Sequence, residues 1–149
     1  MAITESAFRT LDRIAQIKTV PERAEAVREE CRKQPALALV FQYTYHPDVV
    51  FDLPEGELPK TIYKPATHDE YATFYQQVKK LRNFFTTSPV KKHTKELNFT
   101  VLCETVCAED LPLLFGMKDK KLPWRALNKK FAVKALPELF PPDMKAEDD

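Results

Sequence analysis

Glycine is nearly absent from this chain, two residues in 149, whereas proline occurs twelve times. A loop that cradles phosphate through its backbone needs several glycines in a short run, since only they let amides close on an anion without a steric penalty. No such loop exists, which removes the P-loop enzymes. Cysteine is scarce and odd in number: Cys31, Cys103 and Cys107 cannot form a complete disulfide framework. Cys103 and Cys107 stand four apart on one helix face, but zinc requires further nitrogen or sulfur ligands, and His46, His68 and His93 offer no paired spacing. Core packing is expected of these thiols, with no metal and no cofactor. No apolar run approaches the roughly 18 residues of a membrane-spanning helix. The opening MAITESAFRTLDR carries acidic residues and no apolar stretch, so it does not read as a secretory signal. A soluble protein of a reducing cytoplasm is the expectation.

Catalytic signatures are missing as well. His93 lies among Lys91, Lys92 and Lys95 with no nucleophile or orienting carboxylate nearby, and Ser6 and Ser88 sit where helix caps belong. Glu29-Glu30 and Asp69-Glu70 are adjacent on helices and therefore point apart, so no acid/base pair can be nominated. The chain is expected not to be an enzyme.

Positive charge is present, and unevenly placed. The net charge is only +1. Between Tyr71 and Leu136, however, thirteen Lys and Arg face five acids, and the remainder carries ten against seventeen. The densest stretch, Lys118 to Phe140, holds seven basic residues with only Asp119 and Glu138 opposing them. Such asymmetry points to an anionic partner. The competing reading is that the two parts fold together and neutralise each other.

Apolar spacing is helical almost throughout. Ala7, Leu11, Ile14 and Ala15 give a first helix; Thr19-Val20-Pro21-Glu22 resembles a capping box and opens a second, to about Lys33. Gln34-Pro35 begins a third with Leu37, Val40, Phe41 and Thr44 inward, ended by His46-Pro47. From Pro47 to Pro65 prolines break any period. So long a crossing is a candidate contact surface through Phe51, Leu58, Ile62 and Tyr63, or else a strap over the core. Thr67 to Glu70 suggests a second capping box before a long aromatic helix from Tyr71 to about Phe85. Ser88-Pro89 opens a region where Leu97, Val101, Leu102 and Cys103 to Ala108 look buried. A short helix from Leu111 to Met117, helped to stop by Gly116, precedes a last helix capped by Asn128 and running through Ala135. The architecture expected is all-α: one compact domain of six to seven helices over residues 1–140, with a long Pro-rich loop, and a disordered acidic tail over 141–149.

The order of short motifs, from the Leu11-Ile14 helix through Tyr45-His46-Pro47, Leu53-Pro54-Glu55-Gly56 and Lys118-Asp119-Lys120-Lys121-Leu122 to Ala135-Leu136-Pro137-Glu138-Leu139-Phe140-Pro141, resembles a family of small proteins of tailed bacteriophages. More distantly, it is similar to the all-helical N-terminal DNA-binding domain of bacteriophage ATP-dependent DNA ligases. That resemblance implies a grip on the DNA backbone at Lys118, Lys120, Lys121 and Arg125, with Lys129, Lys130 and Lys134 on the following helix. Lys91 and Lys92 add a second basic cluster, and Trp124 is a candidate for stacking on an exposed base. The ligase turn commonly carries Arg-Ile-Gly where this chain has Leu122-Pro123-Trp124, and the nucleotidyltransferase motif Lys-x-Asp-Gly is absent, which excludes ligation.

The function these residues imply is a small phage-encoded, non-catalytic DNA-binding accessory protein of the host cytoplasm. Contacts with about four to six phosphates would give a salt slope of roughly −4 to −5. The alternatives are a module that binds a host protein, in takeover or anti-defence, and a virion component. Neither strand preference nor oligomeric state is legible.

Overall fold

The computed structural model describes residues 5–56 and 61–141. These residues form an all-α domain of seven α-helices joined by 3-10 turns. They are α1 (Ala7–Ala15), α2 (Val20–Lys33), α3 (Ala36–Tyr45), α4 (Ala72–Val78), α5 (Lys92–Thr105), α6 (Leu111–Lys118) and α7 (Lys129–Ala135). Leu58 and residues 142–149, most of the expected acidic tail, lie outside the described residues. Among the described residues no helix is long and apolar enough to cross a membrane.

The centre of the fold is α3. Its inner residues Leu37, Val40, Phe41 and Thr44 are buried, and it packs against α2, α4, α6 and α7. The helix stops at His46, whose extended backbone is what a residue before proline requires. α6 lies against α3 and is apolar nearly all round, so it is buried from Leu113 to Lys118. α7 closes the other side on α2 and α3, its start fixed by the Asn128 side chain, which accepts from the Phe131 amide at 2.9 Å. Arg28 on α2 donates to the Ala135 carbonyl at 2.9 Å, placing a cation where a helix C-terminus leaves orphan acceptors.

Several local expectations are overturned. Thr19 makes no side-chain cap bond at α2. Thr67 does not open α4 either: the His68 ring accepts from the Glu70 amide at 3.1 Å and reaches the Thr105 carbonyl at 2.9 Å, and the helix starts only at Ala72. The long aromatic helix breaks after Val78 into a 3-10 turn, Leu81–Phe84. The cause is nonlocal, because Phe84 and Thr86 are claimed by the Pro-rich crossing. Asp52 donates to the Phe84 carbonyl and Thr86 to the Val50 carbonyl, each at 2.8 Å, forming an isolated antiparallel bridge between Phe51 and Phe85. On α5, Leu97 and Val101 are not buried; they are 55% and 59% exposed.

The thiols pack as small hydrophobes. Cys103 and Cys107 are buried, and burial pushes Cys103 up to about 12 and Cys31 up to about 11, away from thiolate chemistry at neutral pH.

Candidate nucleic-acid interface

The basic C-terminal segment divides into two chemically different sets. Lys118 ends α6, and on so apolar a helix its side chain has nowhere to go but inward; it is 1% exposed. Its ammonium has three protons and three acceptors: the carbonyls of Pro54 at 2.6 Å and Gly56 at 2.8 Å, and Asp119 Oδ1 at 2.7 Å. The Asp119 carboxylate in turn accepts from the Gly56 amide. Lys120 repeats the arrangement. It donates to the carbonyls of Tyr43 and His46 at 3.0 Å and of Val49 at 2.6 Å, which caps the C-terminal end of α3 with a cation. Partial burial and the neighbouring Lys129 charge lower its pKa to about 8. Its backbone is left-handed, at φ 64°, an uncommon setting for a residue with a Cβ.

These two lysines, expected at the DNA backbone, are therefore spent on the protein's own carbonyls. A phosphate could recruit them only by undoing a full set of bonds. A third lysine behaves likewise: Lys95 is buried and donates to Asp52 at 3.1 Å and to the Phe85 carbonyl at 2.8 Å. Together the three pin the Pro47 to Pro65 crossing at Val49, Asp52, Pro54 and Gly56. Within its described residues the crossing is laid over the core through Phe51 and Tyr63, whereas Ile62 is exposed.

Gly116 has a different role from the expected stop signal. It lies within α6, and a Cβ built on it would come within 2.7 Å of the Lys121 carbonyl. The missing side chain lets the turn fold back on the helix, where the Lys121 amide donates to the Gly116 carbonyl at 2.8 Å.

Trp124, partly buried, also has partners within the chain. Its ring sits 4.9 Å from that of Phe8, and its Nε1–H donates to Asp12 Oδ1 at 2.9 Å, which ties the turn before α7 to α1.

Lys121, Arg125, Lys129, Lys130 and Lys134 remain exposed on the turn and on α7. Lys130 and Lys134 are one helical turn apart and share a face. Among the described residues no ion pair or side-chain hydrogen bond engages Lys121, Arg125, Lys130 or Lys134. Between α7 and the start of α2 lies a recess of about 340 Å³, walled by Arg23, Arg125, Lys130 and Lys134 with Val20 and Phe131. Lys91 and Lys92 are exposed at the start of α5, which packs on the Leu81–Phe84 turn, so they belong to a separate cluster.

The sequence offered one signal for the internal lysines that composition hid. Leu111-Pro112-Leu113-Leu114-Phe115-Gly116-Met117 has no polar face, so the lysine continuing it cannot be an ordinary surface residue. No family model, no curated protein and no solved structure matches this chain.

Proposed function

We propose that this protein is a non-catalytic, phage-encoded DNA-binding accessory protein of the host cytoplasm that holds the phosphate backbone through the turn and helix carrying Lys121, Arg125, Lys129, Lys130 and Lys134. The observation that supports this most is the lack of internal partners for Lys121, Arg125, Lys130 and Lys134, in a protein that satisfies Lys95, Lys118 and Lys120 completely or nearly so. Backbone binding of this kind draws its free energy from counterion release and reads little sequence. With Lys118 and Lys120 removed from the contact set, about three to four phosphates are engaged, and log affinity should fall against log salt with a slope of about −3 to −4. Titration of a labelled duplex at several salt concentrations tests it; a slope near zero, or no binding at low salt, rejects it.

A second reading, capture of a host protein, is favoured by a different observation. Leu97 and Val101 stand exposed one turn apart on α5, and Val101 lines a recess of about 380 Å³ with Lys80, Asn83 and Val90. Exposed apolar side chains of this kind mark contact surfaces more often when they cluster. Retention of one host protein that survives nuclease and salt, and is lost in Leu97→Asp/Val101→Asp, would favour it over DNA.

A further inference from the structure

The recess between α2 and α7 has a composition that a convex backbone-binding face does not need. Three of its cations come from the DNA-facing segment, but the fourth, Arg23, comes from the first turn of α2. Arg23 is held in place. Its Nε and Nη2 donate to the Ile17 carbonyl at 3.1 and 2.7 Å, and its guanidinium lies 5.5 Å from the centre of the Phe131 ring. Among the described residues Nη1 has no acceptor, so a fixed cation presents one unused donor edge. No carboxylate lines the recess; Glu22, the nearest in sequence, lies on the first turn of α2 outside the lining. Of its apolar lining residues, Phe131 is buried and Val20 is 41% exposed.

From this geometry we infer that the recess takes a phosphomonoester at a nucleic-acid end, the inference resting on the DNA-binding reading above. Charge is the first argument. A backbone diester carries one negative charge, whereas a phosphomonoester carries about −1.5 to −2 at neutral pH, which suits a recess lined by four cationic residues and by no carboxylate. Size is the second. At about 340 Å³ the recess is at the small end of ligand pockets; it accommodates a terminal phosphate and part of its sugar, while a duplex cannot enter. The third is the rim: exposed Val20 offers apolar contact to a sugar or base edge, which a site for bare phosphate does not require.

The experiment compares three duplexes of one sequence, bearing a 5′-phosphate, a 3′-phosphate or hydroxyls at both ends, against the full chain at fixed salt. One phosphorylated end is expected to bind about tenfold more tightly than the hydroxyl-ended duplex. Inorganic phosphate at millimolar concentration should erase the difference. Two variants assign the effect. Arg23→Ala removes the fixed cation. Because it also removes bonds to Ile17, Val20→Glu serves beside it: this site is exposed and opens a helix, where an acidic residue is tolerated, yet the new carboxylate would repel a phosphate from the recess. Both should reduce the preference to less than twofold while leaving affinity for the hydroxyl-ended duplex within about threefold. Equal affinity for all three duplexes overturns the inference and leaves backbone binding standing. A preference that persists in folded Val20→Glu and Arg23→Ala overturns the recess as its site. Failure of every duplex to bind at low salt overturns the parent reading itself.

Discussion

Lys118 and Lys121 are three residues apart, and they have opposite fates. The first is enclosed, with every ammonium proton given to the Pro-rich strap or to Asp119; the second is exposed, with no side-chain partner among the described residues. The same division runs through the whole basic segment, Lys120 joining the enclosed set and Arg125, Lys130 and Lys134 the exposed one. Clustering in sequence therefore does not make a binding surface. Enclosed lysines substitute for the secondary structure that a proline-rich crossing cannot build, by satisfying its carbonyls one at a time. The exposed set contributes little to stability, and that is what leaves it available to an anion.

Substitution at Lys118 should break this comparison most visibly. Lys118→Met keeps the apolar stem but removes the donor from two carbonyls and the ion-pair partner from Asp119, and should cost about 3 kcal/mol in chemical denaturation, with DNA affinity of the folded fraction unchanged. An equally stable Lys118→Met protein would mean the strap does not depend on it. Next in size, changing Lys121, Arg125, Lys130 and Lys134 together to Ala should leave stability within about 0.5 kcal/mol and weaken duplex binding by roughly 50- to 100-fold, flattening the salt slope. Loss of stability there, or retained binding, would erase the distinction between the two sets.

A smaller effect sharpens the comparison at the joint between them. Alanine inside a helix ordinarily gains about 1 kcal/mol over glycine, but Gly116→Ala would drive a Cβ to 2.7 Å from the Lys121 carbonyl. The sign should therefore reverse to a loss of about 1–2 kcal/mol, because the backbone of the turn must move. Denaturant midpoints for the two proteins check it.

How far the sequence could be read depended on whether a segment's partners were local. The Asn128 cap, the stop at His46-Pro47 and the inner face of α3 were all legible, since each follows from residues within one or two turns. The all-α architecture followed from the same periodicity. What escaped was settled at a distance. The aromatic helix after Ala72 was cut short by a bridge to Val50–Asp52, more than thirty residues away; Thr67 lost its cap role to the pairing of His68 with Thr105. Trp124, read as a stacking surface, was claimed by Phe8 and Asp12 at the far end of the chain. Of the candidate site, the helix Lys129–Ala135 with its exposed lysines was legible from charge and spacing. Lys118 was signalled only by the unbroken apolar helix before it, and Lys120 not at all, because its partners are backbone carbonyls, which carry no sequence signature.

Asp110 extends the comparison to the opposite charge. Like the enclosed lysines it ties distant elements, accepting from the Phe8 amide at 2.8 Å to cap α1 from across the fold. Unlike them it is incompletely satisfied: it is fully buried and its Oδ2 has no partner among the described residues. Burial, aided by the Glu109 charge and opposed by the Phe8 and Ala7 amides, raises its pKa from 3.8 to about 6. Between pH 3.8 and 6 the native state then binds more protons than the unfolded chain, so this group's contribution to stability is fully present below that window and is lost as pH rises through it. Asp110→Asn keeps an acceptor for Phe8 and cannot titrate. The difference in unfolding free energy between the two proteins should therefore change between pH 4 and pH 6.5 and stay level above it, the wild type losing ground as pH rises. A difference that is flat across that range would show Asp110 to be as well satisfied as Lys118, and would leave the fold with no unpaired buried charge at α1.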